Sequence, residues 1–153
     1  MSGTVRSVGP MSQNTFTSTG WEEKRPSADE AGRPRVAHAR TTNRFTGVIT
    51  GSSVAEHVLY YSAGEAAWGG PGTYHGYEQV TGTVDGRSGS FVLEHHGAFE
   101  AMTVRASWTV VPGSGTGELT GLEGTGGFVA THGEPATRYT LELRVADRTD
   151  RAT

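Results

Sequence analysis

The chain has 153 residues, a formal net charge of −3 and no cysteine, which excludes disulfides, thiolate metal sites and a cysteine nucleophile. This length predicts one domain with one hydrophobic core. The charge balance offers no basic surface for nucleic acid or membrane. No apolar run is long enough to span a bilayer, and no apolar leader follows Met1, so a cytoplasmic location is expected.

Most of the chain is predicted to be a single domain. Residues 1–11 show no hydrophobic periodicity and are interpreted as a flexible tail, residues 12–148 as the domain, and residues 149–153 as a second tail. The segment GELTGL at 117–122 predicts no more than one helical turn. The domain divides into eight strand-like runs, most of them joined by glycine-rich turns: 14–24, 36–51, 53–63, 73–84, 88–97, 99–111, 126–132 and 137–146.

Alternation of apolar and polar residues is the main fold signal. It is clearest in the last run, where Tyr139, Leu141 and Leu143 share one face. Glycine makes up 23 of the 153 residues, about twice the usual fraction, as expected for tight turns and barrel corners. The pattern predicts an all-β fold, an eight-stranded antiparallel closed barrel without a long helix. A two-sheet sandwich is the alternative, although the strands are long for one.

Two motifs resemble cofactor or metal sites but lack the necessary context. GTGELTG at 115–121 follows an apolar run, yet no helix follows it to face a pyrophosphate, and no Walker lysine is present. His95 and His96 are adjacent, and successive strand residues point to opposite faces, so the two cannot bind the same ion. We therefore expect no metal and no cofactor.

The facing of two neighbouring runs places titratable groups inside the domain. Phe91, Leu93 and His95 share the more apolar face of one run, while Tyr74 and Glu78 share that of the other. His95 is therefore predicted to point inward near Glu78. A buried carboxylate beside an imidazole must be paired, hydrogen-bonded or neutral. The pair either fixes the strand register or forms a ligand or catalytic site.

The same alternation assigns other polar side chains to the outside. Glu94 and His96 are predicted to face outward, as are His38 and Arg40. The run SVAEHVLYYS carries apolar residues on both faces, so the facing of its histidine and tyrosines is not assigned. The candidate site residues are Glu78 and His95 as catalytic groups, with Tyr60, Tyr74, Phe91 and Trp108 as substrate-binding residues.

Several segments resemble a bacterial family of domains of unknown function that is grouped with the allene oxide cyclase-like barrels. They are FTGVITGSS, YHGYEQVTGTVDGRSGSFVLEHHGAFE, ASWTVVPGSGTGELTGLEGTGGF and YTLELRV, and the resemblance covers roughly 14–147. It implies an eight-stranded antiparallel barrel with a cavity, of the allene oxide cyclase-like or lipocalin-like kind, and no established activity. His95 and Glu78 match the family pattern, whereas His96 is particular to this chain. The catalytic residues of the plant cyclases are not reproduced, and none is transferred.

Among related barrels are cyclases that fold a flexible substrate inside an apolar cavity. The leading hypothesis is therefore a barrel that binds a hydrophobic small molecule, with cofactor-independent cyclisation or isomerisation of a lipid- or polyketide-like substrate as its activity. The alternatives are a carrier or sensor of the same ligand class and a packed structural module that forms a homodimer. Nucleic acid and membrane are not expected as partners.

Overall fold

The computed structural model describes residues 3–6, 14–24, 35–62, 71–100 and 102–146, with side chains left undescribed at 3–6 and 145–146. The nine strands within these ranges are β1 Gly3–Arg6, β2 Thr15–Lys24, β3 Arg35–Thr46, β4 Ile49–Tyr61, β5 Gly72–Val84, β6 Arg87–Glu100, β7 Thr103–Val110, β8 Leu122–Thr131 and β9 Thr137–Ala146. One turn of 3-10 helix, Gly117–Leu119, lies where a helical turn is predicted. In the described part of the chain, no helix has the length and apolar character needed to cross a membrane.

Eight of the described strands form an antiparallel ring. Strands β2 to β9 pair in chain order, β8 pairs with β9, and β9 pairs back to β2. The β9–β2 ladder is short, with Thr15 opposite Arg138 and Phe16 opposite Thr137. These pairings confirm the predicted all-β, antiparallel, eight-stranded architecture.

The strand β1 extends this short seam. It pairs with residues 143–146 of β9. The opposite edge of β9 is occupied by β8, so β1 lies along the same edge of β9 that pairs with β2 at residues 137 and 138. Residues 3–6 belong to the segment 1–11 for which the sequence predicts a tail, and here they form a strand. The remainder of that segment and residues 149–153 lie outside the described residues.

The turn between β3 and β4 lies earlier than predicted. It is formed by Gly47 and Val48, and Gly47 has a φ of 102° that favours glycine. Gly51 instead lies within β4, where a Cβ atom would be 2.2 Å from the carbonyl oxygen of Thr81 on β5. Gly51 therefore allows β4 and β5 to approach each other closely, and it does not form a turn.

The interior is divided along the strands. A large apolar cluster fills one part of the ring and consists of Phe45, Ile49, Val80, Val84, Phe91, Leu93, Trp108, Val110, Leu119, Leu122, Tyr139, Leu141 and Leu143. A small apolar cluster lies farther along and consists of Ala37, Ala39, Leu59 and Tyr61, with Tyr74 and Phe99 packed against it. Along β5, Glu78 lies between Val80 of the large cluster and Tyr74 beside the small one. A polar layer therefore separates two apolar regions.

Candidate functional site

Glu78 and His95 form a buried pair at this polar layer. His95 lies directly opposite Gly76 on β5, and Glu78 is two residues farther along the same face. The His95 Nε2 atom is 2.7 Å from Glu78 Oε1, and the two residues are 2% and 1% exposed. The predicted inward facing and proximity of both side chains are therefore observed.

The other carboxylate oxygen of Glu78 is held by two neighbouring strands. Asn43 Nδ2 on β3 donates to Oε2 at 2.9 Å, and Ser53 Oγ on β4 donates to the same atom at 2.5 Å. Burial, the largest single effect, raises the pKa of Glu78, but the hydrogen bond and charge of His95 and the hydrogen bonds from Ser53 and Asn43 outweigh it. The net pKa lies below the ordinary value, so Glu78 is a carboxylate at neutral pH.

The second ring nitrogen of His95 extends the array to a phenol. If Nε2–H donates to the Glu78 carboxylate, Nδ1 of the neutral ring is free to accept from the Tyr74 hydroxyl, which lies 3.1 Å away. Burial and the charge of Glu78 raise the pKa of Tyr74, which keeps it a phenol at neutral pH. The Tyr74 ring lies over Gly97, where a Cβ atom would be 2.2 Å from the ring. We call Glu78, His95 and Tyr74 the acid–base array.

His57 is a further member of the interior that the sequence left unassigned. Its ring lies 4.9 Å from that of His95 and 4.7 Å from that of Tyr74, and it packs over Gly76. Burial and the nearby His95 lower the pKa of His57 to about 4, so its ring is neutral at neutral pH. Among the described residues, no hydrogen-bond partner meets its buried Nδ1 atom. Both faces of β4 carry apolar residues, so the sequence gives no signal that His57 points inward.

The four residues predicted to bind substrate divide between interior and exterior. Trp108 is buried, donates from Nε1 to the Thr140 carbonyl at 3.0 Å and packs edge-on against His95 at 5.3 Å. Phe91 is buried in the large apolar cluster, and Tyr74 belongs to the array. Tyr60 was expected to line the site, but it is 46% exposed on the outer face because the alternation of β4 turns Tyr61 inward instead.

A second group of titratable residues lies on the outer face and was missed as a group. His75 and His96 are opposite one another on β5 and β6, and their rings stack at 4.3 Å and 14°. Glu94 Oε2 lies 3.1 Å from His75 Nε2 and 3.6 Å from His96 Nε2. The prediction of no metal considered only His95 with His96, which indeed face apart.

A turn signal in the sequence could have revealed this outer group. Asp85 and Gly86 have φ values of 52° and 84°, as a two-residue type I′ hairpin turn requires. Such a turn aligns residues equally far from it on each side. Recognition of an Asp-Gly turn at this position is therefore enough to predict the pairing of His75 with His96 from the sequence alone.

Two concave regions lie on the outer surface of the described residues. The larger, about 1120 Å³, lies over β6 to β9 under the β8–β9 connection and is lined by residues that include His96, Arg105, Val129 and Arg138. The smaller, about 330 Å³, lies over β4 to β6 beside Ser114 and Thr116. Neither is lined by Glu78 or His95, which are both almost completely buried.

Comparison with known proteins gives a family and a fold without a function. Residues 12–143 match a family described as "Protein of unknown function (DUF3224)". The chain is similar to a protein of unknown function from the same family in Shewanella oneidensis MR-1, whose crystal structure is known. The two share 27% identity and a TM-score of 0.66, over 92% of this chain and 96% of the other. No curated protein matches the chain.

Proposed function

Because the chain belongs to the DUF3224 family of proteins of unknown function, we propose from its geometry that it binds a neutral small molecule at the acid–base array inside the ring. The observation that carries this proposal is the continuous hydrogen bonding from Glu78 through His95 to Tyr74. Buried charged and polar groups are commonly no more stabilising than apolar residues of similar size, so stability alone does not account for this array. Such groups concentrate at functional sites.

Tyr74 is the member of the array that meets the ligand. It is less buried than Glu78 and His95 and packs against the small apolar cluster, so a ligand seated among Ala37, Leu59 and Tyr74 reaches its hydroxyl first. On binding, the Tyr74 hydroxyl turns from His95 Nδ1 and donates its proton to a carbonyl or epoxide oxygen of the ligand. Since Glu78 is negatively charged, a neutral acceptor is favoured over a carboxylate.

The same array supports cofactor-independent isomerisation or cyclisation. His95 takes a proton from a substrate carbon at Nδ1, Tyr74 donates a hydrogen bond to the substrate oxygen that gains negative charge, and Glu78 stabilises the resulting imidazolium; the imidazolium then returns the proton to a different substrate carbon, which restores the neutral ring. The apolar walls keep a lipid- or polyketide-like substrate folded and exclude water. In its more specific form, the proposal is that the ring is a closed barrel that catalyses a reaction of the allene oxide cyclase-like kind.

The experiment compares two tyrosines that differ in facing. A long-chain methyl ketone is titrated into the wild-type chain, with binding followed through backbone amide shifts in NMR. We expect Tyr74→Phe to weaken binding more than about tenfold, an effect of about 1.4 kcal/mol, through the lost hydroxyl. Tyr60→Phe removes the same atom from the outer face and should leave binding unchanged. Equal affinities in the two variants, or no binding to wild type, would contradict the proposal.

A structural role for the array is the second candidate, and the packing favours it. Glu78, His95 and the neighbouring Ser53 are all at most 5% exposed, so the pair is packed away from solvent. In this role the buried polar bonds fix the pairing of β3, β4, β5 and β6. Glu78→Gln and His95→Gln would then lower the free energy of unfolding by about 2–4 kcal/mol, measured in urea, while neither variant changes ketone binding.

A further inference from the structure

The outer-face group of His75, Glu94 and His96 provides two imidazoles and one carboxylate with converging atoms. Their ligating atoms all lie within 4.8 Å of one another. Glu94 Oε2 stands between the two histidines, at 3.1 Å from one Nε2 and 3.6 Å from the other. In a tetrahedral zinc site with bonds of about 2.1 Å, neighbouring ligand atoms are about 3.4 Å apart. The two separations from Glu94 Oε2 bracket that value.

The backbone holds these three side chains in place. His75 and His96 are directly opposite on paired strands, and the ladder between β5 and β6 runs without interruption from the Asp85–Gly86 turn to Gly72. Glu94 shares the outer face with His96 because the two are separated by one residue. The donors are therefore brought together by strand register, and a metal would require small side-chain adjustments rather than a backbone rearrangement.

The site is open to solvent on one side. The side chains of His75, Glu94 and His96 are 50%, 35% and 64% exposed, so an ion can enter directly. Three protein ligands leave a fourth position of a tetrahedral ion for water or an exogenous ligand. His96 also lines the outer groove of about 1120 Å³, which places that metal at the rim of the groove.

We propose that His75, Glu94 and His96 form a binding site for a first-row divalent cation, Zn²⁺ being the best match to the donor set. Imidazole and carboxylate together suit this ion, and no thiolate is needed. The expectation of no metal rested on His95 and His96, and this site uses a different pair of histidines. The inference does not depend on the interior array, because His95 faces the other side of β6.

The chain also offers a matched control on the same face. His38 Nε2 lies 2.9 Å from Glu56 Oε1, and Arg40 Nε lies 3.6 Å from the other oxygen of that carboxylate. This group has one imidazole and one carboxylate with an arginine in place of the second imidazole. Since a guanidinium is always protonated, it cannot act as a ligand.

The test is calorimetric titration of tag-free, chelator-treated protein with Zn²⁺, repeated with Co²⁺ and read by visible absorption. We expect one Zn²⁺ per chain and the absorption bands of tetrahedral Co²⁺. His96→Gln and Glu94→Gln should each weaken binding more than about tenfold with an unchanged circular dichroism spectrum, whereas His38→Gln should have no effect. Absence of stoichiometric binding, unchanged binding in both site variants, or equal losses in His96→Gln and His38→Gln would overturn the proposal.

Discussion

Glu78 illustrates how a single residue can join most of one side of the ring. Its own strand is β5, and its carboxylate accepts hydrogen bonds from β3 through Asn43, from β4 through Ser53 and from β6 through His95. Four consecutive strands therefore meet at one carboxylate. Because burial alone disfavours the charge, these donors are what keep the carboxylate ionised.

Part of this residue-level arrangement was available from the sequence. The facing of Glu78 and His95 follows from strand alternation with apolar companions such as Phe91. Asn43 and Ser53 were not predicted as partners because their register depends on the β3–β4 turn, which the sequence placed too late. Pairing between strands is non-local information, and only a recognised turn converts it into a local signal.

The neutral state of His57 predicts how stability depends on pH. The folded pKa is about 4 against an ordinary 6.5, so between these values the unfolded chain binds a proton that the folded chain does not. The stabilisation is complete above pH 6.5 and is lost as the pH falls toward 4, by up to about 3 kcal/mol. Urea unfolding of wild type and His57→Gln between pH 7.5 and 5 measures this.

We expect His57→Gln to show a flatter dependence over that interval than wild type. His132→Gln, at an exposed position, serves as the control and should retain the wild-type slope. The lowered pKa of Glu78 acts in a different window, since its contribution is present above the ordinary value of 4.5 and is lost below it. An identical slope in His57→Gln and wild type would show that His57 is not held neutral.

At the scale of elements, the β5–β6 hairpin organises both faces of the molecule. Its Asp85–Gly86 turn sets one register that places His95 inside beside Glu78 and His75 outside beside His96. Alternation then separates the interior array from the exterior histidines. A slip by one residue would exchange the two faces, so the hairpin specifies both candidate sites together.

Glycines within these strands make room for neighbouring groups. At Gly76 a Cβ atom would lie 2.1 Å from His57 Nδ1 and 2.2 Å from the carbonyl oxygen of Glu56. Gly76→Ala is expected to cost more than about 3 kcal/mol, because the Glu56 oxygen belongs to the backbone and cannot rotate away. The thermal midpoint, followed by circular dichroism, measures the change.

The control for this substitution is Gly86→Ala in the hairpin turn. There the φ of 84° makes alanine unfavourable by about 1–2 kcal/mol, but no atom lies within 4 Å of the added methyl group. We expect the thermal midpoint to fall less for Gly86→Ala than for Gly76→Ala, which would show that the close approach of the strands costs more than the unfavourable backbone conformation. The reverse order would mean that β4 and β5 can move apart at little cost.

For the whole molecule, ring closure depends on few backbone pairs. Among the described residues, the β9–β2 ladder contains two register pairs, with one further bond from the Tyr139 amide to the Asn14 carbonyl at 3.0 Å. Tyr139 also reaches across to the β3–β4 turn. Its hydroxyl donates to the Thr46 carbonyl at 3.0 Å and accepts from the Ile49 amide at 3.1 Å. One buried side chain thus bridges β9 to two other strands of the ring.

Tyr139→Phe tests whether this bridge supports the seam. The substitution keeps the aromatic ring but removes the hydroxyl that hydrogen-bonds the Ile49 amide and the Thr46 carbonyl. We expect the free energy of unfolding, measured in urea, to fall by about 1–3 kcal/mol. Hydrogen exchange should accelerate more at the Tyr139 amide than at amides of the β5–β6 hairpin, because the seam opens first. Tyr77→Phe, on the outer face, should leave both measurements near wild type, since its side chain is 49% exposed. Uniform acceleration throughout the ring would instead mean that the seam unfolds only with the whole molecule.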